Sequence, residues 1–341
     1  MKLVKKIGTH SGKFHADDVT AVMLLQNFLP EYQNAELVRT RDKAVLATMD
    51  IVVDVGGIYD HSTCRYDHHQ IEFEETYSKD YDIRLSASGL VFKHYGIELI
   101  RNALSYLFDT DNNIAKFKAD LDEKSLEEFK DKLYHGFFCC LDAVDNGVSK
   151  YPPEVEPRYS GNSTSLVHRI GNMNKSWWQE DSLSEDELFK QAMQLAKADY
   201  LNAVTKVFFN VFVVKNIVKE YLQNRLNVDK SGKIVFLERS IGWKRALLEL
   251  EEELGIVGEI LLVIFPNPSG GFRVQSMPET EGGFENRAPL VKEWRGLDEE
   301  KLREISGIKD IVFVHHSGFI GGAKTFESAL KMARVTLESL N

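Results

Sequence analysis

The sequence predicts an α/β protein: a mostly parallel sheet with helices on both faces, followed by a smaller α/β domain. Three observations carry this. Strand-like and helix-like segments alternate through the first half, as they do when parallel strands are joined by crossover helices. Ile51-Val52-Val53-Asp54-Val55 is a near-continuous apolar run that stops at Gly56-Gly57, as a strand buried on both faces does. Asn227-Val228-Asp229-Lys230-Ser231-Gly232 is a polar, turn-forming stretch, and new strand-like segments follow it. A chain of 341 residues makes two domains the ordinary expectation, and this stretch divides it into 1–226 and 227–341.

In chain order, residues 3–9 read as a strand. A helix follows from about Asp17 to Phe28, with Val19, Val22, Met23 and Leu25 at helical spacing. Residues 36–40 and 51–55 read as strands; 86–94, 125–143 and much of 185–226 read as helices. Beyond the boundary, 234–237, 259–265, 272–275 and 311–315 read as strands, and 325–340 as a closing amphipathic helix. No internal repeat or low-complexity tract interrupts the pattern.

Composition narrows the function. With 43% hydrophobic and 28% charged residues the chain is an ordinary globular protein. Its 42 Lys+Arg against 52 Asp+Glu give a net charge of −10. That argues against a long duplex footprint, which needs a basic excess, but not against a short one. Cys64, Cys139 and Cys140 form neither a disulfide framework nor a Cys-x-x-Cys zinc pair. Met1-Lys2-Leu3-Val4 leads straight into a strand, which leaves no room for a presequence. The apolar stretch 204–214 is broken by Lys206 and Asn210 and is too short to span a bilayer. A soluble, intracellular protein without a membrane partner is expected; cytoplasm, nucleus and mitochondrion stay open, as does homo-oligomerisation.

Four clusters carry candidate chemistry. His10-Ser11-Gly12-Lys13-Phe14-His15-Ala16-Asp17-Asp18 lies between a strand end and a helix start. Imidazoles and carboxylates are common metal ligands, although Asp17 or Asp18 equally suits a helix N-terminus. Asp54 closes a buried strand, where a charge is costly unless paired or metal-bound; a turn cap before Gly56-Gly57 is the plainer alternative. In Arg65-Tyr66-Asp67-His68-His69-Gln70, the carboxylate can orient an imidazole, one histidine can bind metal and the other can transfer a proton. Asp145 closes an apolar helix in Asp142-Ala143-Val144-Asp145-Asn146-Gly147, whose Asn-Gly is a natural helix stop. Residues 8–13 superficially suggest a phosphate-binding loop, but the glycine spacing is one short and Phe14 replaces the Ser/Thr.

In order and spacing these clusters resemble the DHH phosphoesterase superfamily, which takes its name from a triplet like Asp67-His68-His69. More closely, they are similar to its melanocyte proliferating gene 1 branch, an uncharacterised protein family of metal-dependent hydrolases. The similarity continues through Glu285-Asn286-Arg287-Ala288-Pro289-Leu290, Trp294-Arg295-Gly296-Leu297 and Val314-His315-His316-Ser317-Gly318-Phe319-Ile320-Gly321-Gly322. The resemblance implies a Rossmann-like metal domain, a smaller substrate-binding domain and an active site in the cleft between them. It also implies two divalent cations, Mn²⁺ or Mg²⁺, and phosphoester hydrolysis, with 3′–5′ exoribonuclease activity associated with the closer branch. His15 stands where the superfamily has an aspartate, so the more nitrogen-rich set should suit Mn²⁺, and Zn²⁺ too, better than Mg²⁺.

On this basis His10 and His15 are expected to hold one cation and His68, Asp17 and Asp145 the other, with Asp54 bridging them about 3.5–4 Å apart. Asp67 would orient, and His69 would contact the phosphate or protonate the leaving oxygen; Asp18 is expected first to cap the helix, and whether it or Asp142 is also a ligand stays open. Arg273, Arg287, Lys292, Arg295, His315 and His316 are candidate phosphate contacts, with backbone N–H groups around Gly318, Gly321 and Gly322. Trp177-Trp178 suits stacking or core packing equally. The expected substrate is short single-stranded RNA. Rival readings are a pyrophosphatase or small-nucleotide phosphodiesterase on the same metals, and a non-catalytic metal-binding scaffold.

Overall fold

The computed structural model describes residues 4–340 except 153, 157, 159–163 and 180–182. It is α/β throughout and divides into two compact units, Met1–Val207 and Phe208–Asn341. The sequence placed the boundary at 226/227, but the units part inside the helical run Glu185–Gln223. The polar stretch belongs to the second unit, where Asp229 pairs with Arg334 at 2.8 Å. A turn signal marks a change of direction, and only packing decides which core the flanking helix joins.

The first unit is built on strands β1 (Lys6–Thr9), β2 (Glu36–Arg39), β3 (Ile51–Val53), β4 (Tyr59–Asp60) and β5 (Arg65–Tyr66), in the order β2-β1-β3-β5-β4. All pairs are parallel except β4 with β5. The two-residue strands β4 and β5 were not foreseen, because two residues are too few to show a period. Helix α1 (Ala16–Phe28) packs against β1 and β3 and against the long helices Ala87–Thr110 and Glu185–Val207. It is buried nearly all round, as expected of a core helix without a polar face. On the opposite face the cover is thinner. There Leu46, Met49 and Val52 form a small cluster under the single turn α2 (Lys43–Leu46). Gly8 makes this approach possible, since a Cβ would come within 2.9 Å of Met49 Cγ.

The second unit carries strands β6 (Ile234–Phe236), β7 (Leu262–Pro266), β8 (Phe272–Ser276), β9 (Ile311–Val314) and β10 (Ile320–Ala323), ordered β6-β7-β8-β10-β9. Only β6 and β7 are parallel. Alternation along β7 sorts the core: Leu262 and Ile264 join Ala329, Met332 and Ala333 of helix Phe326–Glu338, whereas Val263 joins Val218, Leu222, Leu247 and Leu250. The helical run Glu185–Gln223 is long and apolar enough to cross a membrane by length and composition alone. Its apolar residues are spent on protein instead. Phe189, Ala196, Tyr200 and Val204 are buried in the first unit, and Val214, Val218 and Leu222 lie in the second unit's core. The helix Trp243–Leu254 and strand β10 were missed from sequence, the latter because Gly321-Gly322 reads as a loop.

The β4–β5 edge is closed by His94, whose ring stacks on His61 at 3.8 Å and whose Nε2 is hydrogen-bonded with Tyr59 Oη at 2.9 Å. Burial, then the neighbouring His61, pushes His94 down to about 4. A depressed histidine contributes stability that is intact above its unfolded value near 6.5 and is lost as pH falls toward 4. The midpoint of thermal unfolding should therefore fall between pH 6.5 and 4 more steeply in the wild type than in His94→Gln; parallel curves would dismiss this account.

Candidate metal centre

Three parallel strands end in a row and each delivers site residues one step later. Register pairs Ile7 with Ile51 and Gly8 with Val52, and then Val52 with Arg65 and Val53 with Tyr66. His10, Asp54 and Asp67 consequently follow β1, β3 and β5 at the same edge of the sheet, the carboxyl edge where α/β proteins collect ligands. Asp17 and Asp18 come from the first turn of α1. Asp145 ends the helix Cys139–Asp145.

The side chains converge. His10 Nε2 lies 3.2 Å from Asp18 Oδ2 and 3.3 Å from Asp54 Oδ2; His68 Nε2 lies 3.3 Å from Asp54 Oδ1 and 3.1 Å from Asp145 Oδ2. Asp54 therefore offers one oxygen to each histidine. Its backbone is left-handed, φ 57°, a conformation aspartate tolerates better than most residues. Ligand atoms of His10, His15 and Asp54 lie within 4.8 Å of one another, as do those of Asp54, His68 and His69, of His15, Asp17 and Asp145, and of Asp17, Asp18 and Asp54. All eight residues expected at the site are thus brought to one edge.

These contacts are close without being hydrogen bonds. His10 Nε2, His68 Nε2, both Asp17 oxygens, Asp18 Oδ2 and Asp54 Oδ1 are buried and have no hydrogen-bond partner. Among the described residues these atoms thus lack partners, which buried polar atoms rarely do; a cation held among them would satisfy them. His10 Nδ1 is 3.3 Å from the Ser11 carbonyl. The donor set of imidazole nitrogens and carboxylate oxygens fits divalent cations.

Electrostatics agree. Burial alone would depress His10, yet Asp18 and Asp54 overrule it and lift the ring to about 10. Burial likewise opposes His68, which Asp145 and Asp54 lift to about 10. Asp54 resists burial because the two histidines hold it down at about 2. Asp17 has no such partner: burial, then Asp54, Asp145 and Asp18, push its carboxyl well above the usual range. Four carboxylates thus share a site in which two imidazoles supply the positive charge.

Asp67 orients rather than ligates. Its Oδ1 accepts from His69 Nδ1 at 2.6 Å, and its Oδ2 accepts from the Gly57 backbone N–H at 2.5 Å. His69, mostly exposed, is raised chiefly by Asp67. Asp18 does more than cap. Its Oδ1 accepts from His15 N at 2.8 Å, while Oδ2 faces His10; sequence reasoning favoured the first role and left the second open, and a carboxylate has an oxygen for each. Asp142 is wholly structural, with Ser86 N and Oγ on Oδ1 at 2.9 and 2.7 Å and Tyr134 Oη on Oδ2 at 2.8 Å. It fixes the helix that carries Asp145. Arg39, unmarked by any motif, holds the Gly12 carbonyl, and Arg41 Nη2 lies 3.2 Å from His10 Nδ1.

The second unit revises the expected substrate contacts. Arg287 is committed to the buried Glu251 at 2.9 and 2.7 Å and to the Ile260 carbonyl at 3.0 Å, so its charge is neutralised within the core. Gly321 and Gly322 are not a loop cradle. They lie in β10, paired on both sides with β8 and β9, and they are glycines because a Cβ on Gly321 would meet Leu290 and Met332 at 2.8 Å. Arg273 lies over the Phe313 ring at 4.7 Å. Arg295 donates Nε to the Leu290 carbonyl at 2.8 Å and lies against Gly318, whose φ is 78°. His315 Nδ1 meets Ser317 Oγ at 2.9 Å, His316 lies beside it, and Lys292 is exposed.

Because like charges dominate the site, the cation-free protein should be strained by it. Asp17→Asn is expected to raise the melting temperature in EDTA and to shrink the rise that Mn²⁺ produces in the wild type. Thermal shift with and without the cation reads both, and an Asp17→Asn protein as responsive to Mn²⁺ as the wild type would remove Asp17 from the ligand set.

Known proteins share this chain along nearly its whole length. A family model described as "Uncharacterised protein family (UPF0160)" matches residues 6–337. The MYG1 exonuclease of Bos taurus is 42% identical over 338 residues, covering 97% of this chain and 84% of that protein. The MYG1 exonuclease of Homo sapiens is 41% identical over 338 residues, covering 97% and 85%. The MYG1 protein of Dictyostelium discoideum is 39% identical over 332 residues, covering 97% and 96%. A crystal structure of RecJ in complex with Mg²⁺ from Thermus thermophilus matches at 15% identity and a TM-score of 0.25, covering 98% of this chain and 49% of that one; so slight a likeness bears on nothing further. The full-length match and these identities make the chain a member of the UPF0160 family, to which it is joined by both its units.

Proposed function

We propose that this chain is a metal-dependent phosphodiesterase that removes nucleotides from the 3′ end of short single-stranded RNA. The observation that carries it is Asp54, whose two oxygens face His10 and His68 separately. A carboxylate shared between two nitrogen-bearing half-sites suits a pair of cations held close together, as two-metal phosphoryl transfer uses them. Relatives named exonucleases match it over nearly its whole length.

His10, His15, Asp18 and Asp54 would hold one divalent cation and Asp54, His68 and Asp145 the other, with Asp17 reaching between them. Bound there, divalent cations supply a nucleophilic water at neutral pH and neutralise charge on the attacked phosphoryl group. Three imidazole nitrogens among the donors favour Mn²⁺ over Mg²⁺. The chain's own residues do the rest. Asp67 fixes the His69 ring through Nδ1, which leaves Nε2 to hydrogen-bond a phosphate oxygen or to give a proton to the departing ribose oxygen. Asp142 holds the Asp145 helix in place, and Arg39 and Asp18 hold the loop between His10 and His15. The protein works, on this reading, as a soluble intracellular enzyme.

One observation favours a second reading, a pyrophosphatase or small-nucleotide phosphodiesterase. The net charge is −10 and one candidate phosphate contact, Arg287, is spent on Glu251, which suits a small substrate better than a long polyanion. A 3′-labelled and a 5′-labelled octaribonucleotide, pyrophosphate and a dinucleotide, each incubated with Mn²⁺ or EDTA, separate the two. Stepwise Mn²⁺-dependent loss from the 3′ end is expected, falling to background in Asp54→Asn and by about 10–100-fold in Asp67→Asn. Turnover confined to the small substrates would replace the exonuclease reading with the second. Wild-type turnover by Asp54→Asn at saturating Mn²⁺ would end the shared-carboxylate mechanism.

A further inference from the structure

Beside the loop that joins His10 to His15 lies a cavity of about 770 Å³ lined, among the described residues, by Lys13, Asn172, Asn174, Trp177, Trp178 and Gln179, with Lys175 and Glu185. It belongs wholly to the first unit. Trp177 is 90% and Trp178 66% exposed, whereas the other two tryptophans, Trp243 and Trp294, are 3% exposed. An indole left in water gives up the burial that large aromatics ordinarily gain in a core, and two side by side make an exposed aromatic patch of the kind that marks a binding surface. The two rings stand edge to face, 5.9 Å between centroids and 89° between planes, so their broad faces point in different directions.

The segment is anchored to the metal loop. Asn174 Oδ1 accepts from the Phe14 backbone N–H at 2.9 Å, and Asn174 Nδ2 donates to the Phe14 carbonyl at 2.8 Å. Phe14 itself is buried against Phe189. The Trp177–Trp178 turn is closed by the Gln179 side chain, whose Oε1 accepts from Ser176 N at 2.8 Å. Lys13, exposed on the cavity wall, is two residues from His15; two virtual bonds place their Cα atoms at most about 7.6 Å apart.

We propose that Trp177 and Trp178 form a stacking subsite for unpaired bases of a nucleic-acid strand whose phosphate enters the adjoining carboxylate–imidazole cluster. Lys13 meets the strand's backbone phosphates beside the site, and the Asn172 amide meets base or sugar edges. Aromatic faces bind every base, so this recognition is tolerant of sequence and depends on single-strandedness. Cations near the site and aromatics beyond it also answer the charge objection: a chain of net −10 gains most of its grip by stacking rather than by phosphate neutralisation. The inference rests on the phosphodiesterase reading and narrows its substrate to strands long enough to reach from the metal cluster to the tryptophans.

Its test separates binding from hydrolysis. A fluorescein-labelled, hydrolysis-resistant phosphorothioate octaribonucleotide is titrated in Mn²⁺ against wild type, Trp177→Ala/Trp178→Ala and Trp177→Phe/Trp178→Phe. Quenching of intrinsic fluorescence is followed on unlabelled octamer, and turnover of bis(p-nitrophenyl) phosphate is measured in parallel. Because Trp243 and Trp294 are buried, quenching reports the exposed pair. Expected are quenching in the wild type, about tenfold or greater weakening in the alanine variant, near-wild-type affinity in the phenylalanine variant, and unchanged turnover of the small ester in all three. Equal affinity of wild type and alanine variant, equal loss in the phenylalanine variant, equally tight binding of blunt duplex, or absence of quenching would each overturn the subsite. Quenching and weakened binding without hydrolysis of any phosphodiester would retain the subsite and overturn the phosphodiesterase reading.

Discussion

The structure of the first unit is organised around mutual repulsion of buried carboxylates. Asp17, Asp18 and Asp54 place oxygens within 4.8 Å of one another, and Asp145 joins them through His15 and Asp17. Two unit charges about 4 Å apart repel by about 4 kcal/mol at an effective dielectric constant of about 20, so such a group persists only if the scaffold holds it and positive charge relieves it. Three parallel strands in register supply the scaffold, since their ends lie on one line and cannot separate without breaking the sheet. His10 and His68 supply part of the relief, and the unpaired oxygens of Asp17 show how much is left for a cation.

Several features that look unrelated serve this one demand. Asp54 sits in a left-handed conformation that costs of the order of 1 kcal/mol, and in exchange its two oxygens face different histidines. Asp142 is buried and pushed up to about 6 by its burial, a cost that Ser86 and Tyr134 offset by hydrogen bonds. Gly89 must be glycine because any Cβ would collide with that carboxylate. The π turn Tyr134–Phe138 interrupts the helical run that ends at Asp145; such turns recur near functional sites because one extra residue re-aims all that follow.

The second unit obeys different rules. Its sheet is mainly antiparallel and sorts alternate residues into two cores. Arg287 illustrates how a motif can mislead: it stands in Glu285-Asn286-Arg287-Ala288-Pro289-Leu290, yet its guanidinium neutralises a fully buried Glu251 and is secured by the Ile260 carbonyl. Removing either partner would strand a buried charge. Gly321 and Gly322 are likewise required for close packing within a strand, a requirement that local sequence does not distinguish from a flexible anion loop.

By itself the sequence determined the α/β class, the strands that precede His10 and Asp54, and the residue types of the metal cluster. Periodicity and turn chemistry are local, and imidazole and carboxylate groups announce their chemistry wherever they fall. The sequence could assign Asp18 to a helix cap, offer Arg287 as a phosphate contact and place the boundary at 226/227, but it could not weigh these against tertiary partners. Only the tertiary structure decided that Asp18 serves both the cap and the site, that Asp142 holds rather than ligates, that Arg287 is consumed by Glu251, and that Trp177 and Trp178 stand in solvent beside the metal loop. Asp142 and Arg287 depend on neighbours distant in the chain, and burial and partner identity are properties of packed space that no window of sequence contains.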